Sequence, residues 1–233
     1  MIKVHGLVKS FGSNAALRGV DLDVAEGESL TLVGPNGAGK TTFIRILATL
    51  TRPSKGSVRV AGCDLTRHGP EIRRHIGLVS HQTFLYGDLS AEENLRFSGR
   101  MYDVSELEPS IRSLLQRVGL EHRSLDLVRT YSRGMQQRLS IARALLHDPA
   151  LLLLDEPYTG LDQRAIEMLR EVLTDLAGRS RTIVMTTHNL ERGLEICDRA
   201  AILSNGRIVY QAGKDNLDVA SFRETYRRYG VER

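Results

Sequence analysis

Nine consecutive residues, Gly34-Pro35-Asn36-Gly37-Ala38-Gly39-Lys40-Thr41-Thr42, have the types and spacing that hold a polyphosphate. Glycines at these positions let successive backbone N–H groups curl around phosphate oxygens. A lysine after the last glycine can reach the β- and γ-phosphates, and the next threonine hydroxyl can ligate Mg²⁺. A helix beginning here would turn its positive N-terminal end toward the same anion. Farther along, Asp155-Glu156-Pro157 closes an apolar run. A carboxylate at the C-terminal end of a parallel strand sits where such sheets place their ligands. Adjacent strand residues point in opposite directions, so the two acids take two roles. Asp155 suits the Mg²⁺ shell and Glu156 suits a base acting on the attacking water.

These groups need a scaffold, and the surrounding pattern supplies one. Residues 2–7, 17–24 and 29–33 read as strands from their β-branched and alternating content, with Gly12-Ser13-Asn14 turning the first into the second as an antiparallel hairpin. The third strand runs straight into the phosphate loop. A helix is predicted over 41–50, and Pro53 forbids its continuation. Short strands are predicted at 57–60 and 76–80. Ser90-Ala91-Glu92-Glu93 is a capping box that opens a helix through about Met101. Leu107, Ile111, Leu114, Leu115 and Val118 form a helical apolar stripe. Residues 84–147 therefore read as a helical insertion. Alternation then resumes with a strand at 150–154, a helix at 163–177, a strand at 181–187 and a helix at 189–197. A hairpin, 200–203 and 207–210, turns at Asn205-Gly206, and a last helix falls within 216–229. Alternating β and α elements imply a mostly parallel sheet covered by helices on both faces. The expectation is an α/β P-loop NTPase fold with an N-terminal antiparallel β-subdomain and an inserted helical subdomain, all in one domain spanning 1–233.

Composition narrows the class further. Hydrophobic residues make up 41% and charged residues 26% of 233, a globular balance. The longest unbroken apolar run, 150–154, is far short of the roughly 18 residues that span a bilayer. The first residues lack the apolar stretch of a signal peptide. Two cysteines, Cys63 and Cys197, cannot make a disulfide framework or a four-ligand zinc site. Together these predict a cytosolic protein. A net charge of +4 invites a nucleic-acid reading, yet no block of five like charges occurs, and aromatics are only 5% with no Trp. Base-stacking platforms are therefore scarce, and no nucleic-acid partner is expected.

Several isolated residues are ambiguous alone. His188 follows a strand, Gln82 follows another, Phe11 is an aromatic beside a turn, and Ser132 stands as a helix N-cap. Bland readings suffice for each: structural histidine, polar loop residue, core aromatic, cap. Phe11, the loop at 34–42, Gln82, the segment Tyr131-Ser132-Arg133-Gly134-Met135-Gln136-Gln137-Arg138, Asp155-Glu156, Gly160-Leu161-Asp162 and His188 nonetheless occur in one order. In that order they resemble the motifs of an ATP-binding-cassette (ABC) nucleotide-binding domain over residues 2–215. The resemblance implies that Phe11 stacks on adenine, where the family more often has Tyr. It implies that Gln82 contacts Mg²⁺ and water and senses a membrane partner, and that His188 holds the γ-phosphate. Ser132 and Gly134 belong to the signature that caps the ATP of an opposite subunit, and Asp162 lies in the loop crossing the dimer interface. The signature departs from the usual Leu-Ser-Gly-Gly-Gln at Tyr131, Arg133 and Met135.

The implied function is that of an ATP-hydrolysing transporter subunit with ATP and Mg²⁺ as cofactors. Its partners are a second copy or homologous ATPase subunit, joined head-to-tail around two ATPs, and a separate integral membrane subunit. It would sit peripherally on the inner face of the cell membrane. The signature and the Asp155–Asp162 segment look like those of exporters. With no long accessory domain after residue 230, the chain is similar to the ATPase of the cytochrome c-biogenesis haem exporter. A drug, lipid or polysaccharide exporter is the alternative. A soluble assembly or DNA-repair ATPase of the same fold is the runner-up class; repair members usually carry long coiled-coil or zinc insertions, which this sequence lacks, and a translation factor would carry two cassettes.

Overall fold

The computed structural model describes residues 1–214 and 218–230. Two sheets frame the molecule. The first is antiparallel, with strands β1 (Ile2–Phe11), β2 (Asn14–Val24), β4 (Lys55–Val60) and β5 (Cys63–Asp64) in the order β2-β1-β4-β5. The second holds β3 (Ser29–Val33), β6 (Ile76–Val79), β7 (Leu151–Asp155), β8 (Thr182–Thr187), β9 (Arg199–Ser204) and β10 (Arg207–Gly213). Its order is β10-β9-β3-β8-β7-β6, parallel throughout except for β10, which pairs antiparallel with β9 at one edge.

Strand β7 shows why the second sheet must be covered on both faces. All five of its residues are buried, with Leu151 and Leu153 on one face and Leu152 and Leu154 on the other. The first pair packs with Phe43, Ile44 and Leu47 of α1 (Lys40–Leu47) and with the inner face of the antiparallel sheet. The second pair packs with Leu169 and Leu173 of α6 (Gln163–Gly178) and Ile141 of α5 (Arg133–Leu145). An unbroken apolar strand is what two-sided burial requires.

Between β6 and β7 lie α3 (Ala91–Met101), α4 (Leu107–Arg117) and α5. They enclose a separate apolar cluster of Leu95, Ile111, Leu115, Val118, Tyr131 and Leu139. The capping box forms as read: Ser90 Oγ accepts from Glu93 N, and Glu93 accepts from Ser90 N. Two later helices complete the set, α7 (Leu190–Glu195) and α8 (Val219–Gly230). Phe222 of α8 is fully buried against Val33, Cys197 and Ile202. The last helix was expected within 216–229, and positions 216 and 217 lie outside the described residues.

Some boundaries differ from the sequence reading, each for a physical reason. Strand β1 continues to Phe11 rather than stopping near 7, because register shifts between Val4 and Ser10 carry it past Gly6. Helix α1 ends at Leu47 rather than 50. Thr49 adopts φ +62° and donates to Ile46 O, while Leu50 donates to Arg45 O. This is a left-handed helix stop built on threonine, where glycine is the usual signal. The short α2 (Gly69–Arg74) and the two-residue β5 have no counterpart in the sequence reading.

Candidate active site

The chemistry-bearing loops leave one end of the second sheet. Val33 pairs with Thr187 and Asp155 with Thr186, so the phosphate loop, the Asp155-Glu156 turn and His188 emerge side by side. The loop itself is held tightly from behind. A side chain at Gly34 would place its Cβ 2.2 Å from Leu203 O, and one at Gly39 would meet Ala16 O at 2.5 Å. Gly39 also has φ +107°, a conformation glycine adopts without strain. Gly206, at the turn of the β9–β10 hairpin, donates to Ala38 O and accepts from Arg18 N. That hairpin therefore ties the phosphate loop to the antiparallel sheet.

Gly39 is the N-cap of α1 and offers no side chain to the first turn, which also lacks acidic residues. The orphan N–H groups there are left for an anion. Lys40 is buried, with Nζ donating to Gly34 O at 2.7 Å and Pro35 O at 3.1 Å. Its ammonium lies 3.7 Å from Glu156 Oε1. Burial pushes the Lys40 pKa below the ordinary lysine value, and the carboxylates of Glu156 and Asp155 oppose that shift. Pro35, Asn36, Gly37 and Ala38 complete the loop, and Thr42 follows Thr41 in the first turn of α1.

The two acids do take separate partners, but not by strand alternation alone. Asp155 is buried and accepts from Thr186 Oγ1 at 2.6 Å and Thr41 Oγ1 at 3.2 Å. Glu156 stands just past the strand with φ +50°, its N–H donating to Thr186 O. That left-handed turn brings its side chain to Lys40 and to His188, whose Nδ1 is 2.8 Å from Glu156 Oε2. Thr186 is a partner that the sequence does not single out, being one more residue of a Thr-Thr strand end. Gln82 lines two cavities, one of about 360 Å³ with Glu156 and Thr159, the other of about 200 Å³ with Thr41 and Asp155. It thus borders both acids.

The remaining residues have other immediate partners. Phe11 is 55% exposed at the end of β1 with Lys9 Nζ 4.7 Å above its ring, so the core-aromatic reading does not hold. Ser132 caps α5 by accepting from Met135 N, and Asp162 caps α6 by accepting from Ala165 N. Among the described residues no hydrogen bond or ion pair joins Phe11, Ser132, Gly134 or Asp162 to the phosphate loop. The departure at Tyr131 is absorbed by packing: its ring is buried among the α3–α5 helices and its hydroxyl donates to Arg123 O.

A phosphate loop between strand and helix, with a threonine-bonded aspartate and a glutamate two strands away, defines a P-loop nucleotide triphosphatase. Residues 17–159 match the family described as ABC transporter. The chain belongs to that family, as an ATP-binding, ATP-hydrolysing domain. It is 38% identical over 218 residues to the daunorubicin resistance ATP-binding protein DrrA3 of Streptomyces coeruleorubidus, covering 93% of this chain and 69% of that one. It is 36% identical over 219 residues to the Nod factor export ATP-binding protein I of Cupriavidus pinatubonensis (strain JMP 134 / LMG 1197), covering 93% and 67%. Its fold matches a dimeric ATP-binding cassette in a post-hydrolysis state bound to ADP and Pi, with TM-score 0.85 and 28% identity, over 92% of this chain and 99% of that one.

Proposed function

We propose that this ATPase powers export, working as a head-to-tail dimer against a separate membrane subunit. The observation that carries its hydrolytic part is the placement of Glu156 between Lys40 and His188 at the mouth of the phosphate loop, while export and the dimer are supported by the relatives and the dimeric cassette named above. In this reading Gly34–Thr42 cradle the phosphates, Lys40 neutralises the β- and γ-phosphates, and His188 holds the γ-phosphate. Glu156 takes the proton of the attacking water. Thr41 and Asp155, whose oxygens the fold brings within 3.2 Å, suit a small hard cation, with Gln82 beside them. Mg²⁺ would be held by Thr41, Asp155 and Gln82 and would supply neutralisation of the phosphate charge. Ser132, Gly134 and Asp162, which no hydrogen bond or ion pair joins to their own loop among the described residues, would meet the nucleotide of a second copy. The N-terminal end of α5, capped by Ser132, would offer its positive dipole to that nucleotide.

Phe11 would give the adenine a stacking face. Phe11→Ala is expected to weaken ATP binding by about 1–3 kcal/mol, the range for base–aromatic stacking, whereas Phe11→Tyr should match the parent. Calorimetric titration decides it, and equal affinity for Phe11→Ala would leave the exposed ring without a nucleotide role.

A groove of about 480 Å³ supports a docking place for the membrane partner. It runs between the sheet layer and the helical layer, and Leu50, Phe84, Tyr86, Phe97 and Met101 line it while being exposed. It shares Leu50, Leu78 and Phe84 with the cavity that holds Thr41, Gln82 and Asp155. A cytoplasmic segment of the membrane subunit seated there would press on the loop carrying Gln82. No described helix is long and apolar enough to cross a membrane itself. Phe97→Asp with Met101→Asp should abolish co-purification with the membrane subunit while the isolated chain still hydrolyses ATP. Retained co-purification would move the docking surface elsewhere. For the cargo, the relatives named for drug resistance and Nod factor export support an exporter of that kind. The haem-export reading rests on the likeness of the signature and Asp155–Asp162 segments to those of exporters.

A further inference from the structure

Arg133 stands where the usual signature has glycine, and the fold gives its side chain a defined course. It is the first residue of α5, a position where the helix dipole disfavours a cation. Its guanidinium turns aside from the helix end, bringing Nη2 to 3.1 Å from Nε2 and 3.3 Å from Nδ1 of His81. On the way it crosses Gly160, where an added Cβ would lie 3.0 Å from Arg133 Nε and 3.2 Å from Cδ. The same side chain lines the cavity of about 360 Å³ that holds Gln82, Glu156 and Thr159. Near the other end of α5, Arg143 donates to Leu78 O of β6. The helix is thus pinned at both ends, and Arg133 is the pin beside the reacting groups.

We infer that Arg133 is a positioning residue for hydrolysis. By holding His81 and covering Gly160, it fixes two loops against the signature end of α5. One carries Gln82, and the other runs from Glu156 to Asp162. This rests on the catalytic reading of Glu156. Lys40 and Phe11 lie outside these contacts, so turnover should depend on Arg133 while nucleotide binding should not.

The test uses the full chain. Arg133→Ala should lower kcat by about 10- to 100-fold, since misplacing reacting groups by about an ångström can cost up to roughly 10²-fold. The Kd for ATP, titrated in a Glu156→Gln background, should stay within about twofold, as should the ATP-driven dimer in that background. Arg133→Lys should recover part of kcat, because an ammonium reaches the His81 ring but cannot lie flat across Gly160. Gly160→Ala should reduce kcat by a larger factor in the parent than in the Arg133→Ala background. Backbone strain at φ +80° is common to both backgrounds and cancels in that comparison. Unchanged kcat in Arg133→Ala, or equal effects of Gly160→Ala in both backgrounds, overturns the inference. So does a kcat loss matched by loss of the dimer, which would place Arg133 at the subunit interface. If Glu156→Gln itself still hydrolyses ATP rapidly, the catalytic reading fails instead.

Discussion

Lys40→Ala is expected to lower the rate of ATP hydrolysis at least a hundredfold, the loss of about 3 kcal/mol that removing one preorganised electrostatic contact to a transition state typically causes. ATP affinity should fall with it, because the ammonium is the nearest cation to the expected phosphates in the loop. In the absence of nucleotide, the opposite holds for stability. Lys40 is buried, and its pKa is depressed mainly by desolvation, so the charged ammonium is held there against its preference for water. Its contacts are two carbonyls of its own loop and a carboxylate at 3.7 Å. Alanine removes the desolvation cost together with those contacts, and the thermal midpoint without nucleotide should hold within a few degrees. Titration with ATP, a steady-state assay and a melt of the same protein separate these effects. Unchanged ATP affinity would remove the phosphate-loop assignment, and a collapse of the fold would make Lys40 structural.

The phosphate loop was legible because its chemistry needs particular residues at adjacent positions, and local spacing survives in a linear sequence. Strand β7 was legible for the same reason, since two-sided burial demands an unbroken apolar run. What was hidden depends on contacts distant in sequence or on backbone angles that no residue type announces. Glu156 reaches Lys40 and His188 through a left-handed turn at a non-glycine residue. Thr49 stops α1 in the same conformation, short of the predicted end. Thr186 meets Asp155 across a strand pairing, and Arg133 meets His81 across the helical insertion. The exposure of Phe11 was open too, because an aromatic beside a turn fits a core or a surface equally well until its neighbours are placed.

Glu156→Gln should nearly stop hydrolysis while leaving ATP bound, lowering kcat by about 10²–10⁴-fold, the usual contribution of a general base. The amide keeps the size of the carboxylate, and its oxygen can still accept from His188 Nδ1, so the pairing at 2.8 Å persists. What disappears is the proton acceptor and a negative charge beside the expected γ-phosphate. Losing that repulsion should hold or raise ATP affinity. Bound but unconsumed ATP should then join two chains, since each nucleotide would bridge one phosphate loop to the other copy's Ser132. Size-exclusion chromatography with Mg-ATP should show this dimer in Glu156→Gln, whereas the parent populates it only briefly. Adding Ser132→Arg places a bulky side chain at the cap of α5 and removes the hydroxyl that accepts from Met135 N. That double variant should bind ATP and remain monomeric. Rapid hydrolysis by Glu156→Gln would end its role as base. A dimer indifferent to Ser132→Arg, checked at high protein concentration, would show that the end of α5 does not face the partner's nucleotide.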